Sequence, residues 1–411
     1  MKPARPNPLT AEQSGMVIRN RTAGLWKSVF FFATLIAIIA LATLILNTCN
    51  QAFGMVATVS RTDPATLSEK PLDQLNSTEL MDILRKHITT TRLKTLEAQQ
   101  PLETRTQQEL LDLVQERIVQ PKIEASWTLF DSIFHRAEIE KIAAEEYPSG
   151  VLSFRAWLNP DFILNSMASQ AEDSGVRPAL LGSLYMIAIT ILFAFPIGVG
   201  AAIYLEEYAD KKRWYNRVIQ TNIDNLAGVP SIVYGILGLA IFVRLLSPLT
   251  SGELFGVDGG NGRTILSAGL TMGLLILPIL IINAQEAIRS VPSSLRQASY
   301  GLGATKWQTI WNHILPYALP GILTGTILAI SRAIGETAPL IVVGASTFIS
   351  SDPNSPFSKF TALPIQIYDW TSRPQDVFRN SAAAAILVLL ITLLSINAIA
   401  IFMRNRFSKR I

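Results

Sequence analysis

The sequence predicts an all-α polytopic membrane protein with six transmembrane helices and a mostly helical insert between the first two. Of the 411 residues 49% are hydrophobic, and the mean hydropathy is +0.32, which is too apolar for an ordinary soluble domain. The apolar residues are also concentrated in six long segments. The longest polar stretch between them, residues 51–170, breaks this pattern and indicates a separate unit outside the membrane.

Each of the six segments is long enough to span a bilayer. Five run 19 residues or more without a charge, namely 28–49, 178–205, 225–243, 264–285 and 380–403. The other, 319–346, contains only Arg332 and Glu336 as charged residues. At ~1.5 Å per residue, such helices cross a hydrocarbon core ~30 Å thick. The predicted organisation is an N-terminal tail (1–27), a first helix (28–50), the insert (51–170), a transmembrane domain (171–403) and a basic tail (404–411).

The positions of Lys and Arg predict the orientation. If the N-terminus is cytoplasmic, the inside segments 1–27, 206–222, 285–317 and 404–411 hold 16 of these residues, and the two short outside loops hold 5. Positive charge is retained on the cytoplasmic side, so both termini are expected there. The basic balance therefore reflects membrane topology and gives no reason to expect a nucleic-acid partner. Cys49 is the one cysteine, which excludes a disulfide within the chain.

Three stretches of the insert are predicted to be helical. Leu80, Ile83, Leu84 and Ile88 recur at helical spacing, and Thr106-x-x-Glu109 has the form of a capping box. A third stretch follows Pro121, with Ile123, Trp127, Phe130 and Phe134 on one face. The three histidines are scattered and no cysteine joins them, so neither a metal site nor a catalytic cluster is expected. The insert is predicted to be a docking or spacer domain.

A polar segment, residues 286–321, separates the fourth span from the fifth. Its glycines and prolines predict two short helices that break at Gly301 and Gly303 and stop at Pro316. The segment 286–318 resembles the coupling loop of ABC importer permeases, in which Glu-Ala-Ala is followed by three residues, Gly, eleven residues and Leu-Pro. The positions that match this pattern, or lie directly beside its Gly, are Gln297, Ala298, Ser299, Gly303, Ala304, Leu315 and Pro316. Gln297 departs from it, because Glu is usual there.

The fifth span contains the most informative chemistry. Arg332 and Glu336 are four residues apart and are expected on one helical face, close to the middle of the bilayer. A charge at that depth costs about 2.5–3.5 kcal/mol, so it indicates a protein interior or a water-filled path. Gly335 and Pro339 are expected to loosen the helix beside the charges, and Thr337 adds a hydroxyl. Arg332, Glu336 and Thr337 are predicted to line a substrate pathway; the alternative is a purely structural ion pair.

This stretch resembles the Ser-Arg-Ala-Ile-Gly-Glu-Thr-Ala-Pro signature of phosphate permeases. Residues 225–238 and 361–370 are similar to the same group, the phosphate-specific permeases of the PstA type. The resemblance covers roughly residues 153–411 and leaves out the insert. It implies the type I ABC importer permease fold, residence in the cytoplasmic (inner) membrane, and phosphate as cargo. The partners that it implies are a second permease subunit, a cytoplasmic ATPase dimer and an extracytoplasmic phosphate-binding protein.

The chain lacks the Gly-x-x-x-x-Gly-Lys-Ser/Thr loop that cradles nucleotide phosphates. It is therefore expected to be a transport subunit with no ATPase site and no cofactor of its own, while ATP and Mg belong to the partner ATPase. Other oxyanions, such as sulfate, molybdate or phosphonate, stay open as cargo. An ion-coupled secondary transporter would not need the 286–318 loop, and a membrane-anchored sensor would bind its ligand on the insert.

Overall fold

Long apolar helices dominate the computed structural model, which describes residues 8–62, 64–68, 70–257 and 261–408. Up to residue 164 the α-helices are α1 (Pro8–Ala52), α2 (Pro64–Leu67), α3 (Ser77–His87), α4 (Thr90–Gln99), α5 (Gln107–Val114), α6 (Leu129–Phe134), α7 (Arg136–Glu146) and α8 (Pro160–Leu164). Those that follow are α9 (Arg177–Ile203), α10 (Trp214–Ala227), α11 (Ser231–Gly238), α12 (Ser247–Thr250), α13 (Ile265–Arg289), α14 (Ser293–Gly301), α15 (Lys306–Thr309), α16 (Leu315–Gly335), α17 (Ala338–Val343), α18 (Leu363–Ser372) and α19 (Asp376–Ser408). Three strands, β1 (Phe53–Ser60), β2 (Pro121–Ser126) and β3 (Val151–Ala156), lie between α1 and α8 in the chain.

Five helical stretches of the described chain are long and apolar enough to cross a membrane, and each overlaps a predicted span. They are Thr22–Ala52, Arg177–Tyr208, Ile265–Arg289, Lys306–Gly335 and Asp376–Arg406. The span predicted for 225–243 is divided instead, since α10 and the stretch Ser231–Leu245 meet at an angle of 110°. The predicted tails are helical where they are described: residues 8–27 begin α1, and residues 404–408 end α19. Residues 1–7 and 409–411 of those tails lie outside the described residues.

Helices α9 and α13 form the centre of the bundle. Ile189 of α9 lies against Gly269, and Phe193 lies against Gly273, so the absence of a side chain on each glycine lets the two helices approach closely. Apolar side chains from α13, α16 and α17 complete this core, among them Met272, Ile276, Ile330 and Leu340. At the edge of the bundle, α1 packs against α19 and exposes most of its apolar side chains between Leu25 and Leu46.

The insert contains an antiparallel sheet that the sequence analysis did not predict. The strand order is β2-β1-β3, with Val56 of β1 opposite Ser126 on one side and Ser153 on the other. The single helix predicted from Ile123 to Phe134 was wrong, because residues 121–126 form β2 and only Leu129–Phe134 is helical. Pairing with β1, more than sixty residues earlier in the chain, supplies the backbone hydrogen bonds that a local helix would have made.

The two other helical predictions for the insert are confirmed. Helix α3 buries Leu80, Ile83 and Leu84, and these side chains pack with buried residues of α5 in one apolar cluster. Thr106 accepts a hydrogen bond from the Glu109 backbone N–H, while the Glu109 carboxylate accepts one from the Thr106 N–H. This is the predicted capping box, and Asn76 and Glu79 form a second one at the start of α3.

Trp370 packs between the insert and the transmembrane domain. It is buried in α18, with its ring 5.9 Å from that of Phe162 in α8 and 6.4 Å from that of Phe378 in α19. Trp370 fills a protein core that also contains Val56 and Trp157, because the insert covers it.

Candidate functional site

The fifth span is interrupted at the predicted charged residues. Helix α16 ends at Gly335, Glu336 has extended backbone angles (φ −79°, ψ 126°), and α17 starts at Ala338. The expectation that Arg332 and Glu336 share one continuous helical face was therefore wrong. Pro339 accounts for the interruption, since it occupies the first turn of the new helix, where its missing N–H is not needed.

The two charges nevertheless meet across this break. Arg332 Nε donates to Glu336 Oε1 at 3.4 Å, with 42% of the arginine side chain and 21% of the glutamate side chain exposed. Leu328, one turn earlier on α16, and Ile341 on α17 are also exposed. On its other side α16 is tied to α19 by a hydrogen bond from Ser331 Oγ to Asn397 Oδ1 at 2.9 Å. The pair thus lies on an uncovered surface of a membrane bundle, where an ion pair needs water or another protein around it.

A second interrupted helix lies against the first. Pro230 ends the continuity between α10 and α11, because it has no N–H to give to the Leu226 carbonyl four residues earlier. The hydroxyl of buried Tyr234 donates to that same carbonyl at 2.7 Å, so the bend keeps it bonded. This explains why the helix predicted for 225–243 is divided. One residue further, Gly235 packs directly on Pro339, which brings the two interruptions together.

The predicted coupling residues lie at the junction of α14 and α15. Gly303 has φ +82°, its N–H donates to Tyr300 O at 2.9 Å, and the Ala304 N–H donates to Ser299 O at 3.1 Å. These two bonds form a Schellman motif, which requires a left-handed residue where Gly303 stands. Thr305 then starts α15 with a capping box to Gln308. The predicted breaks at Gly301 and Gly303 are confirmed.

The predicted stop at Pro316 was wrong. The helix is continuous from Lys306 to Gly335, through a wider π-helical turn at Ile310–Ile314. In that turn the Leu315 N–H reaches back to Ile310 O, and Pro316 follows directly after this widened turn. Leu315 and Pro316 are half-buried within this helix. Of the other predicted coupling residues, Gln297, Ala298 and Gly303 are exposed, and Ala304 is half-buried in the turn.

An aromatic and apolar surface surrounds the turn, and sequence reasoning missed it. Leu302 is 90% exposed, and the exposed rings of Trp307 and Trp311 stack at 5.6 Å between centroids. The i, i+4 spacing of the two tryptophans was the available signal. Large exposed apolar groups on a structured turn are typical of a surface that contacts another protein or the membrane.

Sequence reasoning also missed a half-buried ion pair at the base of this turn. Arg296 Nη2 lies 2.7 Å from Glu207 Oε1, and only 21% and 9% of the two side chains are exposed. The signal was the acidic pair Glu206 and Glu207, directly after a charge-free span. As to metals, the described residues include no group of three or more His, Cys, Asp or Glu side chains placed to hold an ion.

The sequence was compared with those of known proteins. Residues 194–411 match the family described as binding-protein-dependent transport system inner membrane component. A probable ABC transporter permease protein, YqgI of Bacillus subtilis, is 32% identical over 266 residues, which cover 62% of this chain and 86% of that one. The phosphate transport system permease protein PstA 1 of Mycobacterium tuberculosis is 35% identical over 237 residues, covering 57% and 72%. The phosphate transport system permease protein PstC of Mesorhizobium japonicum is 32% identical over 252 residues, covering 58% and 76%.

Among solved structures, a bacterial alginate ABC transporter in complex with a pentasaccharide-bound periplasmic protein aligns with a TM-score of 0.45 at 17% identity, covering 68% of this chain and 92% of that one. A likeness this weak adds nothing to the assignment, which rests on the sequence matches. The chain belongs to the family of binding-protein-dependent transport system inner membrane components, as a permease of the PstA type within the type I ABC importers.

Proposed function

We propose that this permease subunit carries inorganic phosphate across the cytoplasmic membrane, and that the Arg332–Glu336 pair lies on the route. The observation that carries the proposal is an exposed Arg332 paired with a half-buried Glu336 among exposed apolar side chains, at the break between α16 and α17. The phosphate transport named for the PstA and PstC relatives supports the choice of anion. A guanidinium fork also matches the geometry of phosphate oxygens.

The proposed roles follow from the contacts. Arg332 offers its free N–H groups to the anion, and Glu336 holds the guanidinium by a single long bond of 3.4 Å. Because Glu336 also repels an anion, phosphate would bind only weakly and could leave. Thr337 begins α17 and adds its hydroxyl at the same level. Gly335 and Pro339 flank the break and are proposed as its hinge.

At the other end of α16, the turn between α14 and α15 is proposed to dock on a cytoplasmic ATPase dimer, which holds ATP and Mg. Gln297, Ala298 and Gly303 would contact the ATPase together with the exposed tryptophans. Ala304, Leu315 and Pro316 would fix the shape of the turn and connect it to α16. The uncovered surface around Arg332 would face a second permease subunit, with the phosphate route between the two.

The orientation completes the proposal. With this turn in the cytoplasm, both termini are cytoplasmic and the insert lies outside, which agrees with the excess of Lys and Arg on the inner segments. The insert is then available to contact an extracytoplasmic phosphate-binding protein. Its three-stranded sheet continues directly from α1 and rests on α18 through Trp370.

The test is an uptake assay with the whole complex in sealed vesicles. Labelled phosphate should accumulate only with ATP, and unlabelled sulfate, molybdate or phosphonate in tenfold excess should not compete. Uptake without ATP would contradict an ATP-driven importer. Stronger competition by one of the other oxyanions would replace phosphate as the cargo and leave the importer assignment in place.

A further inference from the structure

Arg296 joins three separate parts of the fold. It precedes the exposed Gln297 on α14, but its own side chain points into the protein. Its Nε and Nη2 atoms lie 3.1 and 2.7 Å from Glu207 Oε1, at the end of the span that begins with α9. The same guanidinium donates to Val291 O at 2.7 Å and to Ile288 O at 2.9 Å.

These carbonyls explain why an arginine is needed there. Ile288 lies in the last turn of α13 and Val291 just beyond its end, where the helix dipole favours a cation. Arg296 therefore caps α13 and neutralises Glu207 at once. Removing either partner of this half-buried pair leaves the other charge without its partner, so the contact holds α14 in place.

A second cation links the same point to the next helix. Lys306, the first residue of α15, donates from Nζ to the backbone carbonyl of Glu207 at 3.3 Å, and it stands 5.8 Å from the centre of the Tyr208 ring. Residues 207 and 208 thus receive one cation from each of the two short helices. Both lie in the π-helical turn Tyr204–Tyr208, which ends the α9 span.

Glu206, the residue before Glu207, pairs with different cations, so the two glutamates have different roles. Glu206 forms ion pairs with Arg289, at the end of α13, and with Lys211 at 2.9 Å. It thereby ties α9 to α13 and to the following loop, and among the described residues its ion pairs are with these two cations. Glu207 alone of the two contacts the proposed docking element.

We propose that the Glu207–Arg296 pair is the link through which movement of α14 reaches α9 and α13. The proposal rests on the proposed function, in which α14 and α15 dock on an ATPase. Helices α9 and α13 pack along each other through Gly269 and Gly273, so they would follow α14 as one body. The continuous helix from Lys306 to Gly335 would carry the same movement to Arg332. Glu207 and Arg296 are positioning residues, since they act through these helices and not on the anion.

The test separates coupling from docking. We would prepare Glu207→Gln and Arg296→Gln in the whole complex and measure ATPase content, ATP hydrolysis and uptake per ATP hydrolysed. The expected result is normal ATPase content with uptake per ATP reduced at least tenfold. The matched control is Arg213→Gln, which removes an exposed arginine that lies 3.9 Å from Asp210 on the same side of the protein. It should leave all three quantities unchanged.

A covalent replacement tests the mechanical role directly. Cys49 is the only cysteine, so Cys49→Ser provides a cysteine-free background for the double variant Glu207→Cys, Arg296→Cys. A short bifunctional thiol reagent should restore uptake per ATP in this variant, whereas a monofunctional reagent should not. Unchanged uptake per ATP in both Gln variants, or no recovery on cross-linking, would overturn the proposal.

The controls keep this result apart from the proposed function. If the unmodified complex carries another anion, uptake per ATP can be measured with that anion and the link is still tested. If the Gln variants reduce ATPase content and uptake in the same proportion, the pair serves docking alone and the proposal fails. Arg296→Lys keeps the positive charge but loses the guanidinium fork. Its uptake per ATP hydrolysed should lie between that of the unmodified complex and that of Arg296→Gln.

Discussion

Gly235 and Pro339 touch where two interrupted helices cross. A Cβ atom built on Gly235 would lie 2.7 Å from Pro339 Cα, closer than Cβ atoms approach other atoms in folded proteins, and 3.0 Å from Pro339 O. The glycine therefore permits α11 to rest on the first turn of α17, directly beside the Arg332–Glu336 pair. Backbone packed on backbone fixes the spacing of the two helices at this point.

We expect Gly235→Ala to destabilise the protein by about 1–3 kcal/mol, the usual cost of overpacking. The added methyl meets backbone, which cannot rotate away. Thermal unfolding in detergent measures the effect. Gly200→Ala is the matched control, because a Cβ at that position of α9 meets nothing within 4 Å beyond its own helix among the described residues. It should be neutral or slightly stabilising. Equal melting temperatures for the two variants would show that α11 is free to shift.

Arg332→Gln should insert and assemble normally but lose uptake. A hydrogen bond to a charged group contributes about 1.5–3 kcal/mol, so the uptake rate should fall roughly 10- to 100-fold. The control is Arg136→Gln, which breaks an exposed i, i+4 pair with Glu140 (2.9 Å) on the insert. Normal uptake by the Arg332 variant would assign the pair a structural role only.

Trp307→Ala should weaken binding of the ATPase. Exposed aromatic residues that become buried in an interface are frequent hot spots, and truncating one costs about 2 kcal/mol or more, which is roughly 30-fold in affinity. The measurement is a titration of ATPase subunits onto the permease in nanodiscs. Trp26→Ala, at an exposed tryptophan of α1, serves as the comparison and should bind normally. An unchanged affinity for the Trp307 variant would exclude this surface from docking.

The start of α5 should depend on pH through Glu109. Hydrogen bonds from the Thr106 backbone N–H, and then from the Thr106 side chain, lower the pKa of this carboxyl below its ordinary value. A lowered pKa stabilises the folded state fully above the unfolded pKa of about 4.3, and the contribution is lost as pH falls through the folded pKa. Hydrogen exchange of the first amides of α5, corrected for intrinsic rates, should therefore accelerate on acidification below pH 4.

Glu109→Gln provides the control for that experiment. Its amide can still accept a hydrogen bond but has no charge to lose, so its exchange rates should show no such acid step. A step of equal size in both proteins would assign the acid sensitivity to another carboxyl group.

Local features of the fold were predictable because their causes are local. Membrane spans follow from uninterrupted apolar runs, and the turn at Gly303 and the box at Thr106 follow from residues within four positions of each other. The sheet of the insert was not predictable in this way. Its strands pair across more than sixty residues, and the short alternation in 121–126 also fits a helix.

The residues of the candidate site also differ in whether the sequence alone could reveal them. Arg332 and Glu336 could be found because charges inside an apolar span are rare. Glu207 and Arg296 lie 89 residues apart, and neither has a neighbour in sequence that reveals the other. The bend at Pro230 was missed for a different reason: hydropathy records how apolar a segment is but not its direction. Tyr234, which bonds the freed carbonyl, is one turn beyond the break.

The helix that joins Trp307 to Arg332 without a gap fixes the number of residues between them. Each residue of an α-helix advances the chain by ~1.5 Å and turns it by ~100°. A single insertion or deletion between Leu315 and Arg332 would leave composition and hydropathy almost unchanged, yet it would rotate Arg332 and Glu336 together by ~100° about the helix axis relative to the turn at Gly303. The segment between Gly344 and Leu363 contains no helix, so an insertion or deletion there would not rotate one side chain relative to another about a helix axis. For this protein, the number of residues between the turn at Gly303 and Arg332 is thus as much a part of the candidate site as the charge itself.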